Sequence, residues 1–556
     1  MVKVVSTNIT SLIGWTTEQN FQAYCQGGSA LRCYCPEEPY AATLFTDEQR
    51  AEMHIGGFTH FESMVIRSVE EALSRAPINL SDARTLFVLS TTKANVAELC
   101  DTESGADLYL PPGETALKIA RHLGFTTAPI VVSNACISGV SAQLIAMRLL
   151  EAGVYDKAVV CGADTVSEFT ISGFRSFMSL SPLPCRPFDL ERTGLNLGEA
   201  AATMILTHIP DEDHALESHR GEWTIVRGAA TNDAYHLSAP HPKGEGLKQA
   251  IQLTLRNTPA DSLATVNAHG TATMFNDQME SKAVEQCGLS AVWVSAYKGC
   301  FGHTLGASGL LETILTLRAL DDHLVLPVRG FEEKGVSGRI RICKEAQHTE
   351  RESFLKITSG FGGCNAAMLY TKQAYRSEHQ ERQMPKVSVL CEWKADQDFS
   401  PLEAYKQSIG DYPRFYKMDK LSQAAFVATE LLLSQAEEKP AAIILFNRSS
   451  SILSDRKHLA ILYNEGLASP STFLYTLPNI MLGEIAIRHH IQGETSLYIL
   501  DQRNEELMKQ VVEATLSFAE ARCILTGWID CPDEQHIEVD LKLLKAEGPT
   551  VDNKND

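Results

Sequence analysis

The stretch APIVVSNACISGVSAQLIAMRLLEAG, residues 128–153, decides the fold. It reads as a buried strand, a sharp turn of small residues, and then a helix whose Ile137, Val140, Leu144, Ile145 and Leu149 face inward, with Gly153 closing it. Cys136 falls at the strand-to-helix elbow. Unpaired N–H groups and the positive end of the helix dipole favour a thiolate there, which is what a nucleophile requires. Taken alone, such a cysteine also reads as one more small buried residue among fourteen.

Outward from this unit, from Met1 to Lys372, short β-rich runs (TLFVLS, IVVSNA, AVVCGA, ATVNAH, VWVSAY) alternate with amphipathic helical stretches. That alternation predicts an α/β layered fold with parallel or mixed sheets. Residues 373–386 are polar and charged without apolar periodicity and read as a linker. A second domain over 387–545 repeats the order of residues 62–164, an internal duplication, and 546–556 reads as a frayed tail.

The 556 residues exceed what one hydrophobic core holds, so more than one domain is expected. Forty-nine basic against sixty-nine acidic residues give a net charge of −20, which argues against nucleic acid or an anionic membrane as partner. An acidic partner would need a local patch of Lys and Arg. The fourteen cysteines have no C-x-x-C pairs and the first residues lack signal-peptide features, so a reducing cytoplasm is expected. No apolar run approaches the roughly 20 residues that span a bilayer.

Three further groups share the topological position of Cys136. ATVNAHGTAT places His269 after a strand, and VWVSAYKGCFGHTLGASGLLE places Lys298 and His303 around another strand-to-helix turn. Groups outside the carboxyl ends of strands in α/β sheets converge, so Cys136, His269 and His303 can meet although distant in sequence. A neutral histidine there suits hydrogen-bond donation to a carbonyl, whereas a metal site prefers compact ligand spacing, and no metal is expected. Gly-rich SGFGGCNAAM, residues 359–368, follows the strand FLKIT and reads as an oxyanion loop, since no phosphate-loop motif accompanies it.

Together these segments, with CRPFDLERTGLNLGEAA at 185–201, resemble the elongating β-ketoacyl-acyl-carrier-protein synthases of the thiolase superfamily over residues 1–372. The resemblance implies a layered α/β/α/β/α fold of two similar halves, about 1–210 and 211–372, followed here by a thiolase-like half domain. It implies Cys136 as the acylated nucleophile, His269 and His303 as the pair on the malonyl thioester carbonyl, and Lys298 with Glu312 as a supporting ion pair. Thr271 and Thr273 would hold the pantetheine arm, Phe361 would gate the site beside Gly362, and the N–H groups of Cys136 and Phe361 would form the oxyanion hole.

The implied reaction is decarboxylative condensation of malonyl carrier with a Cys-bound acyl chain, in fatty acid or polyene and polyketide synthesis. The implied partners are an acyl carrier protein, acyl and malonyl thioesters and a second copy in a homodimer. No cofactor is expected beyond the carrier's phosphopantetheine. Ser359, Asn134, Ile137 and Gly299-Cys300-Phe301 depart from the family pattern and put the acyl pocket's shape in question. In the second domain the cysteine position falls on Gln502, or on Arg503 if the register slips, and no HGT or GH segment follows. That exchange is similar to the chain-length-factor subunits that pair with ketosynthases. The alternatives are a non-decarboxylating thiolase-like acyltransferase and a non-catalytic chain-length-factor-like partner.

Overall fold

The computed structural model describes residues 1–35, 38–100, 109–209, 221–373, 384–396, 398–518 and 521–547. The first half contributes β1 (Val2–Ser11), α1 (His60–Arg75), β2 (Thr85–Ser90), α2 (Pro112–Leu123), β3 (Ile130–Val132), α3 (Ser138–Glu151), β4 (Lys157–Asp164), α4 (Glu168–Ser176) and β5 (Ala200–His208). The second half contributes β6 (Thr224–Asn232), α5 (Glu245–Leu255), β7 (Leu263–Asn267), α6 (Met274–Gln286), β8 (Trp293–Ser295), α7 (Ser308–Asp321), β9 (Arg341–Ile342), β10 (Ser353–Gly360) and β11 (Cys364–Thr371).

These strands line up as β9-β8-β7-β10-β11-β6-β1-β5-β4-β2-β3 in one mixed sheet. Within the sheet the two halves pair at Val2↔Ile225 and Lys3↔Thr224. Helix α3 touches strands of both halves and packs on α7, so the two halves face one another across a central pair of helices. Both helices are apolar almost all round and buried along nearly their whole length, as a middle layer requires. They cross where glycines permit it: a Cβ on Gly139 would fall 3.0 Å from the Gly309 Cα. The mixed α/β class and the two similar halves agree with the sequence reading.

The appended domain adds β12 (Lys386–Lys394), α8 (Lys420–Leu433), β13 (Ala442–Asn447), α9 (Ile452–Glu465), α10 (Pro470–Tyr475), α11 (Ile480–His489), β14 (Thr495–Ile499), α12 (Glu505–Phe518), β15 (Cys523–Asp530) and β16 (Glu538–Glu547). Its strands continue the sheet past β3 in the order β14-β13-β15-β16-β12. Strand β12 starts at Lys386, and β16 runs through Ala546 and Glu547, two residues into the expected tail. Most of the expected linker and the rest of the tail lie outside the described residues.

The seam between the domains is antiparallel, with Val132 opposite Tyr498 and Val131 opposite Ile499. Gln502 and Arg503, the two candidates for the cysteine position, both follow β14 and precede α12. Gln502 is exposed, because no second half covers it. The apolar helix α8 packs on β12, β16 and α11 of its own domain. Its Phe426 and Val427 join a cluster with Ala135 and Leu237 of the catalytic domain. The surface that the half domain needs is therefore supplied within the chain.

Candidate active site

The elbow departs from a simple strand-turn-helix. Ala135 takes φ 46° and Ala135–Ile137 form one 3₁₀ turn ahead of α3. That turn holds Cys136 at the wall of a cavity of about 320 Å³ while both flanking residues are buried. His269, Thr271, Thr273, His303, Ser359 and Phe361 line the same cavity, so residues far apart in sequence converge as the reading expected.

His303 Nε2 lies 3.0 Å from Cys136 Sγ. The Leu305 N–H donates to His303 Nδ1 at 3.2 Å, which leaves the ring proton on Nε2. His269 receives the same treatment from another source: Lys298 Nζ stands 3.1 Å from its Nδ1 and also donates to its main-chain oxygen at 2.7 Å. The rings pack edge to face with centroids 5.0 Å apart. Burial, reinforced by the Lys298 charge, holds both imidazoles well below their ordinary range, so both are neutral. Two neutral rings therefore present Nε2–H donors to one side of the thiol.

Lys298 is itself held by Glu312 at 2.5 Å, and the other oxygen of Glu312 takes Lys356 from β10. Burial would raise the Glu312 carboxyl, but the two ammonium groups keep it below its ordinary value. The ion pair is thus a triad. Sequence reasoning missed Lys356, although a charged residue inside the apolar run FLKIT was a visible signal. It also missed Glu280, which accepts the N–H groups of His269 and Gly270 at 2.7 and 2.8 Å. Asp164 was missed as well; it accepts from Gly306 N–H at 2.7 Å and from the backbone of Thr92 and Lys93.

The thiol differs from the expectation. Burial is the strongest influence on Cys136 and pushes it up to about 11, against the Lys298 charge and the N–H groups of Cys136 and Phe361. The resting group is a thiol, not a standing thiolate. Those two N–H groups are the pair expected to form an oxyanion hole, and both act to lower the thiol. Thr271 and Thr273 sit side by side with hydroxyls 2.9 Å apart. Phe361, Gly362 and Gly363 form the turn between β10 and β11, with the glycines at φ 90° and 74°.

The departures from the family pattern now have places. Asn134 Oδ1 accepts the Leu497 N–H at 2.8 Å, tying the nucleophile's turn to β14. Ile137 is buried in the core. Ser359 donates to Asn365 Oδ1 at 2.6 Å. Gly299-Cys300-Phe301 pack toward the first residues of the chain, with Cys300 on the Gly28 oxygen and Phe301 stacked on Tyr24. Among these departures only Ser359 lines the cavity. The appended domain reaches the site too: Phe473 packs edge-on against Phe174 and Phe177, which in turn stack with Phe361. Cys136 Sγ and nitrogens of both histidines lie within 4.8 Å of one another. Ring protons on both Nε2 atoms would have to move before that trio could ligate an ion.

The layered α/β fold thus brings a thiol and two neutral histidines to one cavity. Residues 61–211 match the β-ketoacyl synthase N-terminal domain and residues 223–332 match its C-terminal domain. It is 32% identical over 253 residues to the 3-oxoacyl-[acyl-carrier-protein] synthase 2 of Synechocystis, a match covering 43% of this chain and 60% of that protein. The chain matches between 59% and 65% of the length of the curated relatives.

Among solved structures, the ketosynthase ApeO in complex with its chain length factor ApeC from Xenorhabdus doucetiae superposes with TM-score 0.54 at 25% identity, over 66% of this chain and 97% of that one. The PfaC keto synthase-chain length factor superposes with TM-score 0.80 at 12% identity, over 98% of this chain and 78% of that one. The second likeness extends the shared fold through the appended domain. No helix among the described residues is long and apolar enough to cross a membrane.

Proposed function

We propose that the chain is a 3-oxoacyl-acyl-carrier-protein synthase that joins a malonyl unit to an acyl chain carried on Cys136. In the first step the thiol sulfur attacks the acyl thioester, its proton leaves with the departing carrier thiol, and the acyl-enzyme forms. In the second, malonyl carrier loses carbon dioxide and its carbanion attacks the acyl carbonyl, releasing the Cys136 sulfur. The observation that carries this reading is the matched pair of Nδ1 acceptors, His269 to Lys298 and His303 to Leu305 N–H. They fix two Nε2–H donors that stabilise an enolate oxygen without protonating the carbanion.

An acyl carrier protein is the proposed partner, and no resident cofactor is required. The substrates arrive on the carrier's phosphopantetheine, past Thr271 and Thr273. The fourteen cysteines are all free thiols, which supports the proposed reducing, cytoplasmic setting. The half domain is proposed as a non-catalytic, chain-length-factor-like companion, supported by the exposed Gln502 and Arg503, neither of which can carry an acyl group, and by Phe473 against the aromatic residues of the cavity. A homodimer is kept with one restriction: β14 fills the free edge of β3 within the chain, so a second copy must use another face. The test is intact-protein mass spectrometry with octanoyl and malonyl carriers. An octanoyl adduct on Cys136, discharged as 3-oxodecanoyl product only when malonyl carrier is added, is expected. Discharge without loss of carbon dioxide would favour the plain acyltransferase.

A further inference from the structure

The glycine loop that lies over Cys136 is held from two sides, and one of them belongs to the appended domain. On the catalytic side the Gly362 N–H donates to the Leu237 oxygen at 2.6 Å, and Asn232 Nδ2 donates to the Gly362 oxygen at 2.9 Å. On the other side Asn479, the residue before α11, donates from Nδ2 to the Phe361 oxygen at 2.9 Å. The approach is close: a Cβ on Gly362 would fall 2.7 Å from that Nδ2, and one on Gly483 would fall 2.9 Å from the Gly362 oxygen.

Asn479 is 3% exposed, and its Oδ1 has no hydrogen-bond partner among the described residues. Leaving a buried acceptor unmatched is costly, so the amide is not there to satisfy itself. Its orientation is set by the Phe361 oxygen, which can only accept. Asn479 grips the carbonyl after the Phe361 Cα, and the N–H before that Cα is one of the two backbone donors that lower the Cys136 thiol, so the two peptides turn about one shared atom. A turn with two glycines at positive φ has little stiffness of its own, so its tilt depends on such outside bonds.

We propose that Asn479 is a positioning residue for Cys136: by anchoring the Phe361 carbonyl it fixes the oxyanion N–H, so a domain without a nucleophile sets the reactivity of the one beside it. The inference rests on the reading of Cys136 as the acylated nucleophile. In chemical terms Asn479 touches neither substrate nor the reacting atoms, and it acts through the loop. Asn134, bonded to the Leu497 N–H two residues before Cys136, gives the same domain a second handle on the site.

The experiment uses the full chain with Asn479→Ala and the near-isosteric Asn479→Asp. Octanoyl transfer to Cys136 is measured as kcat and KM, and carbamidomethylation of Cys136 by iodoacetamide is followed against pH by peptide mass spectrometry. A carboxylate cannot donate to a carbonyl, so Asn479→Asp should be at least as slow as Asn479→Ala. Both should lose about 10- to 100-fold in kcat with little change in KM, in line with a weakened oxyanion donor. The alkylation profile should move to higher pH, since the thiolate loses an oriented N–H.

Wild-type transfer and an unshifted alkylation profile in either variant would overturn the proposal. So would a loss of activity that only follows a lowered melting temperature, which is the mark of a packing role. If wild-type protein takes no octanoyl group on Cys136, the condensation reading fails. The alkylation profile then still decides whether Asn479 controls the thiol.

Discussion

The Lys93 ammonium and the Asp455 carboxylate meet at 2.5 Å in the seam between the two domains, with 5% and 2% of their side chains exposed. Ser451 and the Thr476 oxygen complete the coordination of the ammonium. A second buried pair, Arg148 with Glu494 at 2.7 Å, lies in the same seam. Both join residues more than 340 positions apart. Removing one partner strands the other charge in low dielectric, so Asp455→Ala should destabilise the protein by about 3–5 kcal/mol. The apolar pair Lys93→Met with Asp455→Leu should recover much of the loss. Urea denaturation of the three proteins measures this, and equal stability of the single and double variants would contradict it.

Deleting everything after Lys372 should expose the β3 edge and the seam face of α3, and leave Lys93 and Arg148 without their carboxylates. The truncated chain should precipitate or self-associate on size-exclusion chromatography, because an open strand edge and stranded charges both invite association. A monodisperse truncated protein with an unchanged product profile would deny the half domain any supporting role.

Cys136→Ala should abolish condensation while leaving the melting temperature near that of the wild type, since the 3₁₀ turn is set by its neighbours. In the wild type, alkylation of Cys136 should climb steadily with pH and show no plateau near neutrality. Desolvation at the cavity wall pushes the thiol up to about 11. Lys298→Met should push that rise further up, because the Lys298 charge lowers the thiol. A plateau below pH 8 (about three units under that value) would refute the buried-thiol account.

His303→Ala should cost decarboxylation far more than acyl transfer, about 100- to 1,000-fold against a smaller loss, because an oriented donor to the enolate matters in the second step. Radiolabelled carbon dioxide release and Cys136 acylation, followed separately, report the two steps. Equal losses would contradict the division.

Within the appended domain, Glu430 on α8 accepts from Arg488 at 3.0 Å and faces His489 at 2.9 Å on α11. Partial burial works to raise its carboxyl, but these two partners hold it at about 2, below its ordinary 4.5. A depressed carboxyl contributes stability above its unfolded value and loses it as pH falls from 4.5 toward 2. Glu430→Gln should therefore be less stable than wild type at neutral pH, with the gap closing on acidification through that window. Urea midpoints taken from about pH 6 down to about pH 3.5 would show it, and a constant gap would rule it out.

Much of the catalytic site was legible because its chemistry is written locally. Cys136, His269, Lys298 and His303 each follow a short strand and open a turn, and that position is fixed by strand and helix periodicity alone. Glu312 and Phe361 entered through resemblance; Phe361 lines the cavity, and Glu312 lies behind it, paired with Lys298 and Lys356. Lys356 was not found because its role depends on which face of β10 meets Glu312, a matter of sheet order. The thiol's titration was misjudged for a related reason: helix dipole and elbow are local, whereas the burial that outweighs them is the sum of many distant side chains.

By itself the sequence determined the α/β halves, the duplication and the absence of a nucleophile in the second domain, since periodicity and residue identity need no partner. Only the tertiary structure decided where the second domain packs. The seam itself, with Val132 opposite Tyr498, was not legible, because strand register is set by contacts across hundreds of residues. The same contacts carry Asn479 to the Phe361 oxygen and Phe473 to the cavity wall, placements that depend on how two packed surfaces fit together.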